Sequence, residues 1–313
     1  MRILVVQNLR AGPGSAGIYD YVHALGRQGV EVVMRFLSED DGAGTLLADA
    51  GRFDRIVAGG GDGTVSAVAY ELRETGTPLV IYPAGTANLV AMNLRMPADP
   101  LALARTTLEG PVVKVDMGEM ACAGLEGGVC RPTGFLMAAG AGFDASIMEG
   151  ARSLKAGLGA GAYLVAALQN LTPTVSAFTL DLDGRVIETE GIAVLILNFA
   201  RIQFDLAVTH DSDAQDGLFE VVVLHTKTAV GLIPAIWGAL LDRLAGNHPD
   251  RSPSFEIHAA RRMRVTADPP LPVQYDGEAI RATTPLDAVV LPAAATLVVP
   301  PGAADEAGRL SPA

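Results

Sequence analysis

The sequence predicts an N-terminal α/β domain followed by a mostly β domain that forms a sandwich. Up to residue 110, short apolar runs alternate with stretches that repeat apolar residues at helical spacing. From Val112 onward, short β-rich runs follow one another, separated by turn signals such as Asp183-Gly184. The chain has 313 residues, which is enough for two cores of ordinary size.

The first domain, residues 1–113, is expected to contain strands joined by helices. Its opening strand, helix and second strand predict a right-handed βαβ unit. The last helix should begin at Asp99 and Pro100 because proline suits the first helical position. The predicted elements are strand Arg2–Gln7, helix Ile18–Gln28, strand Glu31–Phe36, strand Phe53–Ala58, helix Val65–Leu72, strand Leu79–Tyr82, helix Leu89–Leu94 and helix Pro97–Gly110.

The second domain, residues 114–300, is expected to be a β sandwich, and residues 301–313 are expected to form a flexible tail. Two helices, Lys155–Leu171 and Ala229–Leu244, should pack beside the sandwich. The predicted strands are Val112–Met117, Thr133–Ala139, Ser176–Leu182, Ile192–Asn198, Leu218–His225, Ser254–His258, Arg262–Ala267, Leu271–Tyr275 and Ala288–Val299.

Composition excludes some functions. The 23 basic and 35 acidic residues give a net charge of −12, which argues against a general nucleic-acid binder. The same balance disfavours loose electrostatic adsorption to anionic lipid. The start MRILVV is typical of a strand rather than a signal peptide, and the apolar stretch Ala229–Leu241 is too short to cross a bilayer. We therefore expect a cytoplasmic protein whose membrane contact is peripheral and transient.

The stretch FDRIVAGGGDGTVSAVAYEL, residues 53–72, is the strongest indication of a ligand site. A buried strand runs into the turn Gly59–Gly63, and a helix comes next. Glycines let the backbone approach a ligand, and the free N–H groups of the helix start favour a phosphate. Asp62 is the one carboxylate in the turn that could reach a metal ion or a ribose. Such a turn also occurs for tight packing alone.

A second turn of the same kind follows in the sequence PAGTAN, Pro83–Asn88. It connects the predicted strand Leu79–Tyr82 to a helical stretch. Two strand ends, each followed by Gly-Thr and a helix start, should lie side by side in a parallel sheet. Together they predict one anion-binding rim, which is the usual ligand position in open α/β sheets.

Five motifs in order resemble bacterial diacylglycerol-kinase-type lipid kinases, a group that also resembles sphingosine kinases and, more distantly, NAD kinases and phosphofructokinases. The resemblance covers nearly the whole chain. It implies an ATP-binding Rossmann-like or phosphofructokinase-like α/β domain, a β-sandwich domain as in NAD and diacylglycerol kinases, and an active site in the cleft between them. The motifs are GGGDGT, PAGTAN, GAGFDASI (Gly140–Ile147), DAQDGLFEVVVL (Asp213–Leu224) and PPLPVQYDGEAI (Pro269–Ile280).

The resemblance also implies roles for single residues. Asp276, in the sequence YDGE, would be the catalytic base, with Glu278 beside it. A structural magnesium would be bound by Asp213, Asp216 and the carbonyl group of Leu218, which offer the hard oxygen ligands that Mg²⁺ prefers. The nucleotide would be held by Ser38, Gly60, Gly61, Asp62, Gly63, Thr64, Val65, Ser66 and Thr86.

These residue types suit phosphoryl transfer, which needs alignment and charge neutralisation more than covalent help. The glycine turns would bind the phosphates of ATP, and Mg²⁺ held through Asp62 and water would neutralise the remaining charge. Asp276 could accept the proton of an acceptor alcohol. Purely structural interpretations remain open. Asp276-Gly277 and Asp216-Gly217 are also typical of ordinary β-turns, and Ser38 is also typical of a helix cap.

The function predicted from these features is ATP-dependent phosphorylation of a lipid hydroxyl, with a diacylglycerol-like acceptor. Expected partners are a lipid at the membrane surface and no nucleic acid, with a homodimer as an open option. One alternative is an NAD-kinase-like enzyme for a soluble acceptor, since GGDG is shared with that group. Another is a non-catalytic lipid-binding or regulatory protein, because Ser66-Ala67 stands where many relatives have Asn-Glu.

Overall fold

A computed structural model describes residues 1–12, 16–38, 42–124, 132–142, 173–199, 201–202, 206–207, 213–225 and 255–303. The first part of the chain forms a parallel sheet in the order β2-β1-β3-β4. Each of these strands is rich in apolar residues, as expected of a sheet covered on both faces. The strands are β1 (Arg2–Asn8), β2 (Glu31–Leu37), β3 (Arg55–Gly60) and β4 (Leu79–Pro83).

Helices connect these parallel strands. The last of them begins as predicted, because Asp99 accepts a hydrogen bond from the N–H of Ala102 at 2.7 Å and Pro100 occupies the first turn. The helices are α1 (Ala16–Arg27), α2 (Ala43–Leu46), α3 (Asp62–Leu72), α4 (Leu89–Asn93) and α5 (Pro100–Glu109). A single 3₁₀ turn, Ala50–Arg52, precedes β3.

The second part of the chain is β-rich, with mainly antiparallel pairing. Its strands are β5 (Val112–Gly124), β6 (Thr133–Phe135), β7 (Ala138–Ala141), β8 (Ser176–Leu182), β9 (Arg185–Gly191), β10 (Ala193–Leu197), β11 (Arg201–Ile202), β12 (Leu206–Ala207), β13 (Phe219–Leu224), β14 (Phe255–Ala260), β15 (Arg262–Asp268), β16 (Pro272–Tyr275) and β17 (Glu278–Val298). The last of these pairs with β5 and β16 along its length and with β4 at its end.

Strand β17 therefore joins the two halves of the molecule. It has 21 residues, with register shifts between Thr283 and Leu286 and between Leu291 and Ala295. Such bulges bend and twist a strand, so one strand can follow both sheets. Near its C-terminal end Leu297 pairs with Leu79 of β4. A continuous strand thus fixes the β-rich half next to the glycine turns of the parallel sheet.

Two hydrophobic cores are present among the described residues. The first lies around the parallel sheet and includes Leu4, Val57 and Val80, together with Leu297 from the end of the chain. The second lies inside the β-rich half and includes Phe178 and Phe219 among other buried side chains. A chain with two apolar cores matches the predicted α/β plus β architecture. The exact domain boundaries, 1–113 and 114–300, remain a prediction.

Several elements differ from those predicted. The predicted strand Thr133–Ala139 is two strands, β6 and β7, because the chain turns at Leu136 and Met137 to bind a side chain of another element. Strand β9 was not predicted, since most of its side chains face solvent and give no apolar signal. Helices predicted at 155–171 and 229–244 lie outside the described residues. Within the described part, no helix is long and apolar enough to span a membrane.

Candidate active site

The two glycine turns lie next to each other, as predicted. Strands β3 and β4 pair in parallel up to Gly60 and Pro83, so both chains leave the sheet at one edge. The N–H groups of Ala84 and Gly85 donate to the carbonyl oxygen of Gly60 at 3.1 and 3.2 Å. A Cβ atom placed on Gly85 would overlap Cα of Gly61. Glycine is therefore required here so that the two backbones can approach each other.

Replacing Gly85 by Ala tests this close approach. We expect the Gly85→Ala substitution to lower the free energy of unfolding by about 1–3 kcal/mol, the usual cost of inserting a group into a packed region. Gly26→Ala is the matched control, because nothing lies within 4 Å of a Cβ atom added in helix α1. Urea denaturation of both variants measures the effect. Equal stability of the two variants would contradict the packing of the turns.

Asp62 connects the first glycine turn to the helix after the second. Its carboxylate accepts hydrogen bonds from the N–H groups of Leu89 at 3.0 Å and Val90 at 2.9 Å, at the start of α4. The residue is only 7% exposed. In this structure Asp62 thus satisfies N–H groups that a helix start leaves without intrahelical partners. Its most evident role is to position the second turn.

The predicted nucleotide-binding residues differ in exposure. Thr64, Val65 and Ser66 are buried on α3, and the Thr64 hydroxyl accepts a hydrogen bond from Nδ2 of Asn8 at 2.8 Å. Gly61 and Gly63 are half-buried at the rim, and Thr86 is exposed on the second turn. Ser38 is exposed directly after β2, at the same edge of the sheet. Contact with a nucleotide would therefore come from glycine backbone, Thr86 and Ser38, and it remains a prediction.

Asp276 lies in the hairpin between β16 and β17. It adopts a left-handed conformation with φ of 46°, and Gly277 follows with φ of 77°, as two-residue hairpin turns require. The turn and the candidate base thus coincide. The carboxylate accepts hydrogen bonds from the N–H groups of Leu136, Met137 and Ala138 at 3.1, 2.9 and 3.0 Å. Only 7% of the residue is exposed.

The environment of Asp276 favours a proton acceptor that works near neutral pH. Burial raises the pKa of its carboxyl group from 3.8 to about 7, and the neighbouring Ser66 hydroxyl group together with the three N–H groups opposes this increase. Ser66 belongs to α3, the helix that begins at the first glycine turn. A carboxyl group whose pKa lies close to the working pH is suited to general base catalysis.

The side chain of Glu278 extends from the hairpin to the first glycine turn. A Cβ atom placed on Gly63 would overlap the carboxylate of Glu278, so this side chain lies directly on the turn. Loss of solvent raises the pKa of Glu278. The two sequence motifs GGGDGT and YDGE, far apart along the chain, are therefore in contact. This contact defines the candidate active site, which lies where the parallel sheet meets the β-rich half.

The candidate magnesium residues lie on the turn before β13. Asp213 accepts a hydrogen bond from the N–H of Gln215 at 3.0 Å, and Asp216 accepts one from the N–H of Leu218 at 2.8 Å. Burial, and then the charge of Asp213, raise the pKa of Asp216. Two neighbouring carboxylates that repel each other fit a divalent cation. Among the described residues, however, no group of three His, Cys, Asp or Glu side chains is arranged to hold a metal.

The sequence did not reveal the part played by Asp116 of β5. Its carboxylate accepts hydrogen bonds from the N–H groups of Gly217 and Ala293, both at 2.7 Å. It thereby fixes the Asp213–Leu218 turn to β17. Burial raises the pKa of Asp116, and the charges of Asp216 and Asp213 add to this effect. Asp116 alternates with apolar residues and follows Lys114 on the same face of its strand, which is typical of an exposed residue, so no sequence signal indicated its buried role.

A separate groove lies elsewhere on the β-rich half. It has a volume of about 950 Å³ and includes the cluster Arg261, Arg262 and Arg264. The residues that line this groove include neither those of the two glycine turns nor Asp276 and Glu278. Acidic groups line the groove too, and Arg264 pairs with Asp287 at 3.3 Å. Because the charges are mixed, this groove is a weaker candidate for phosphate chemistry than the glycine turns.

Comparison with known proteins agrees with this architecture. The diacylglycerol kinase catalytic domain matches residues 2–120, and the YegS C-terminal NAD kinase beta sandwich-like domain matches residues 137–299. A diacylglycerol kinase structure from Bacillus anthracis superposes with a TM-score of 0.72 at 20% identity, covering 96% of this chain and 98% of that chain. Yeast NADH kinase complexed with NADH superposes with a TM-score of 0.51 at 12% identity, covering 95% and 82%.

Sequence relatives agree with these matches. A protein of Alcanivorax borkumensis named a probable lipid kinase YegS-like is 30% identical over 270 residues, which are 82% of this chain and 83% of that protein. One of Klebsiella pneumoniae with the same name is 27% identical over 93% of both chains. An uncharacterized Synechocystis protein is 30% identical over 254 residues, which are 78% of this chain and 54% of that protein.

The fold defines the class: an α/β domain joined to a β-sandwich domain, a fold shared with a diacylglycerol kinase of Bacillus anthracis and with yeast NADH kinase. Within this class, the chain belongs to the diacylglycerol kinase-like family of YegS-like lipid kinases.

Proposed function

We propose that this protein is an ATP-dependent lipid kinase that transfers the γ-phosphoryl group to a hydroxyl group of a diacylglycerol-like lipid. One observation carries the proposal: the Asp276 carboxylate and the hydroxyl group of Ser66, on the helix that starts at the first glycine turn, accept hydrogen bonds from the same N–H group of Leu136. A proton acceptor and a turn of the phosphate-binding kind are thereby held on contacting elements. Membership of the lipid kinase family supports the same reaction.

In the proposed reaction the protein aligns the reactants and supplies a base. N–H groups at the glycine turns would bind the phosphates of ATP, and Asp276 would accept the proton of the lipid hydroxyl as the new P–O bond forms. The Glu278 carboxylate lies at the same turn and would repel these phosphates. A Mg²⁺ ion bound with ATP would neutralise that repulsion. ATP would therefore bind at this turn together with magnesium.

The pH dependence of turnover is set by Asp276. Because its pKa is raised to about 7, the carboxyl group is protonated and inactive as a base at pH 5.5, and ionised at pH 8.5. We expect kcat to increase with pH, with a midpoint near 7. Labelled-ATP assays across this interval measure the profile. A constant kcat between pH 5.5 and 8.5 would argue against Asp276 as the base.

We propose that Asp213, Asp216 and the carbonyl group of Leu218 bind a second, structural Mg²⁺. The mutual repulsion of the two carboxylates supports a cation at this turn. We expect calorimetric titration with MgCl₂, in the absence of nucleotide, to show one site in the wild type. The Asp216→Asn variant should lose most of this binding, because half of the carboxylate charge is removed. Identical titrations of the two proteins would contradict the site.

A soluble acceptor is the alternative, since NADH kinase shares the fold. The two functions are distinguished by supplying labelled ATP with either diacylglycerol vesicles or NAD. We expect label in the lipid fraction only. Label in the nucleotide fraction alone would favour the NAD-kinase-like alternative, and ATP left unused with both acceptors would favour a non-catalytic lipid-binding protein.

We propose that the lipid is reached at the membrane surface by peripheral, transient contact. The net charge of −12 makes a general attraction to anionic lipid unfavourable, so binding should depend on the acceptor lipid itself. In sedimentation with neutral phosphatidylcholine vesicles, we expect more protein in the pellet when the vesicles contain diacylglycerol. Equal recovery with and without diacylglycerol would count against this contact.

A further inference from the structure

The hydroxyl group of Ser66 occupies a defined position beside the candidate base. Ser66 is fully buried, and its Oγ accepts a hydrogen bond from the N–H of Leu136 at 3.0 Å. The same N–H also donates to Oδ2 of Asp276 at 3.1 Å. Since Oγ is already an acceptor, its own hydrogen is available to the neighbouring carboxylate, which can only accept when ionised. The Ser66 hydroxyl group and the Asp276 carboxylate therefore lie side by side at one shared donor.

Ser66 belongs to a row of polar side chains along one face of α3. Asp62, Ser66 and Tyr70 are spaced four residues apart and therefore lie on the same side of the helix. Each of them bonds to a different element: Asp62 to the start of α4, Ser66 to the N–H of Leu136 that also donates to Asp276, and Tyr70 to Glu119 of β5. Helix α3 thus links the glycine turn physically to the base.

We propose that Ser66 is a positioning residue for Asp276: its hydroxyl group donates to the carboxylate, holds it in place and favours the ionised form that accepts a proton. This inference rests on the proposed role of Asp276 as the base. It gives Ser66 a different role from the nucleotide contact expected from the sequence, because a fully buried side chain is not available to a nucleotide in the cleft.

Other groups near Asp276 need to be separated from this effect. The contacts that lower its pKa are Ser66 and the backbone N–H groups of Ala138, Leu136 and Met137. Two titratable residues, Tyr275 and Glu278, lie on the same hairpin as Asp276. Burial raises the pKa of Tyr275, and the charges of Glu278 and Asp276 add to this effect. Replacing Ser66 leaves these neighbours in place. A changed titration of Asp276 can then be assigned to the hydroxyl group.

The test measures the titration of Asp276 directly. The protein is labelled with ¹³C at Asp carboxyl groups, and the Asp276 signal is identified by its absence in Asp276→Asn. We expect Ser66→Ala to shift the midpoint upward by about one pH unit, the effect of one hydrogen bond to a charged group. Ser66→Thr, which keeps the hydroxyl group, should restore the wild-type midpoint. Should Ser66→Ala not fold, Ser66→Cys replaces it with a near-isosteric, weak donor.

An unchanged midpoint in Ser66→Ala or Ser66→Cys would overturn the proposal. The kinetic test uses the acid limb of the kcat profile, which is its low-pH side. In Ser66→Ala the midpoint of this limb should move upward by the same amount, while kcat at high pH approaches the wild-type value. A uniform decrease at every pH, with the limb in place, would also overturn it. The NMR titration needs no turnover, so absence of lipid kinase activity would refute the proposed function separately.

Discussion

Asp276→Asn is expected to reduce kcat by about 10²–10⁴-fold, the contribution typical of a general base, while the fold is retained. The amide keeps one oxygen for the N–H groups of Met137 and Ala138, which bond to Oδ1. The new NH₂ group would face Leu136, whose N–H still has Ser66 as an acceptor. Kinetics with labelled ATP and thermal unfolding measure both parts of the prediction.

Asp183→Asn is the matched control for this substitution. Asp183-Gly184 is a hairpin turn of the same conformation, with φ of 54° and 87°. Its carboxylate likewise accepts backbone hydrogen bonds, from Arg261 and Arg262 at 2.9 Å, but it lies in the separate groove. We expect this variant to keep wild-type turnover. Turnover retained in Asp276→Asn, or lost equally in both variants, would refute the assigned base.

The Asp276→Asn variant also separates stability from catalysis. In the folded wild type the pKa of Asp276 is raised from 3.8 to about 7, so the folded state binds a proton that the unfolded state has released. The free energy of unfolding of the wild type, relative to Asp276→Asn, should therefore decrease from about pH 4 to pH 7 and level off above that. Urea denaturation at pH 5 and pH 8 checks the sign.

Asp62→Ala is expected to have the second large effect. It leaves the N–H groups of Leu89 and Val90 without their buried acceptor, which costs about 1–3 kcal/mol for each group. Nucleotide affinity should be lost as well, because the second glycine turn is no longer held against the first. Urea denaturation and calorimetric titration with ATP and Mg²⁺ measure the two effects.

Asp54→Ala provides the control for Asp62→Ala. Asp54 also accepts a backbone hydrogen bond, from Arg2 at 2.6 Å, but it is exposed and precedes β3, at the opposite end of that strand. We expect it to lower stability by less than Asp62→Ala and to leave nucleotide binding unchanged. An Asp62→Ala protein with unaltered stability and unaltered affinity for ATP would be incompatible with the tethering role.

The position of the glycine turns could be predicted from the sequence because it depends on local rules. Apolar runs followed by glycine identify strand ends, and parallel strands bring such ends to one edge of a sheet. The Asp276-Gly277 turn could be predicted for the same reason. These rules locate the glycine turns and the hairpin separately, and the structure agrees at Gly61, Gly85 and Asp276. That the hairpin meets the turns was implied by the family resemblance alone.

The contacts within the site could not be predicted. Asp276 is bound by backbone N–H groups of Leu136 and Met137, residues whose apolar side chains give no sign of this role. Ser66 meets Leu136 across 70 positions of sequence, so no periodicity relates them. Strand β17 was predicted only over its second half, Ala288–Val299, because its bulges interrupt the alternation of buried and exposed residues.

Transfer of phosphate from ATP to a lipid alcohol in this cleft can be measured without choosing the acceptor in advance. A membrane-lipid extract is incubated with γ-labelled ATP, and the labelled products are identified by mass spectrometry. We expect a phosphorylated lipid that the wild type forms and that is absent with Asp276→Asn. A wild-type protein that labels no lipid, or an Asp276→Asn variant that labels as much as the wild type, would contradict the proposed reaction.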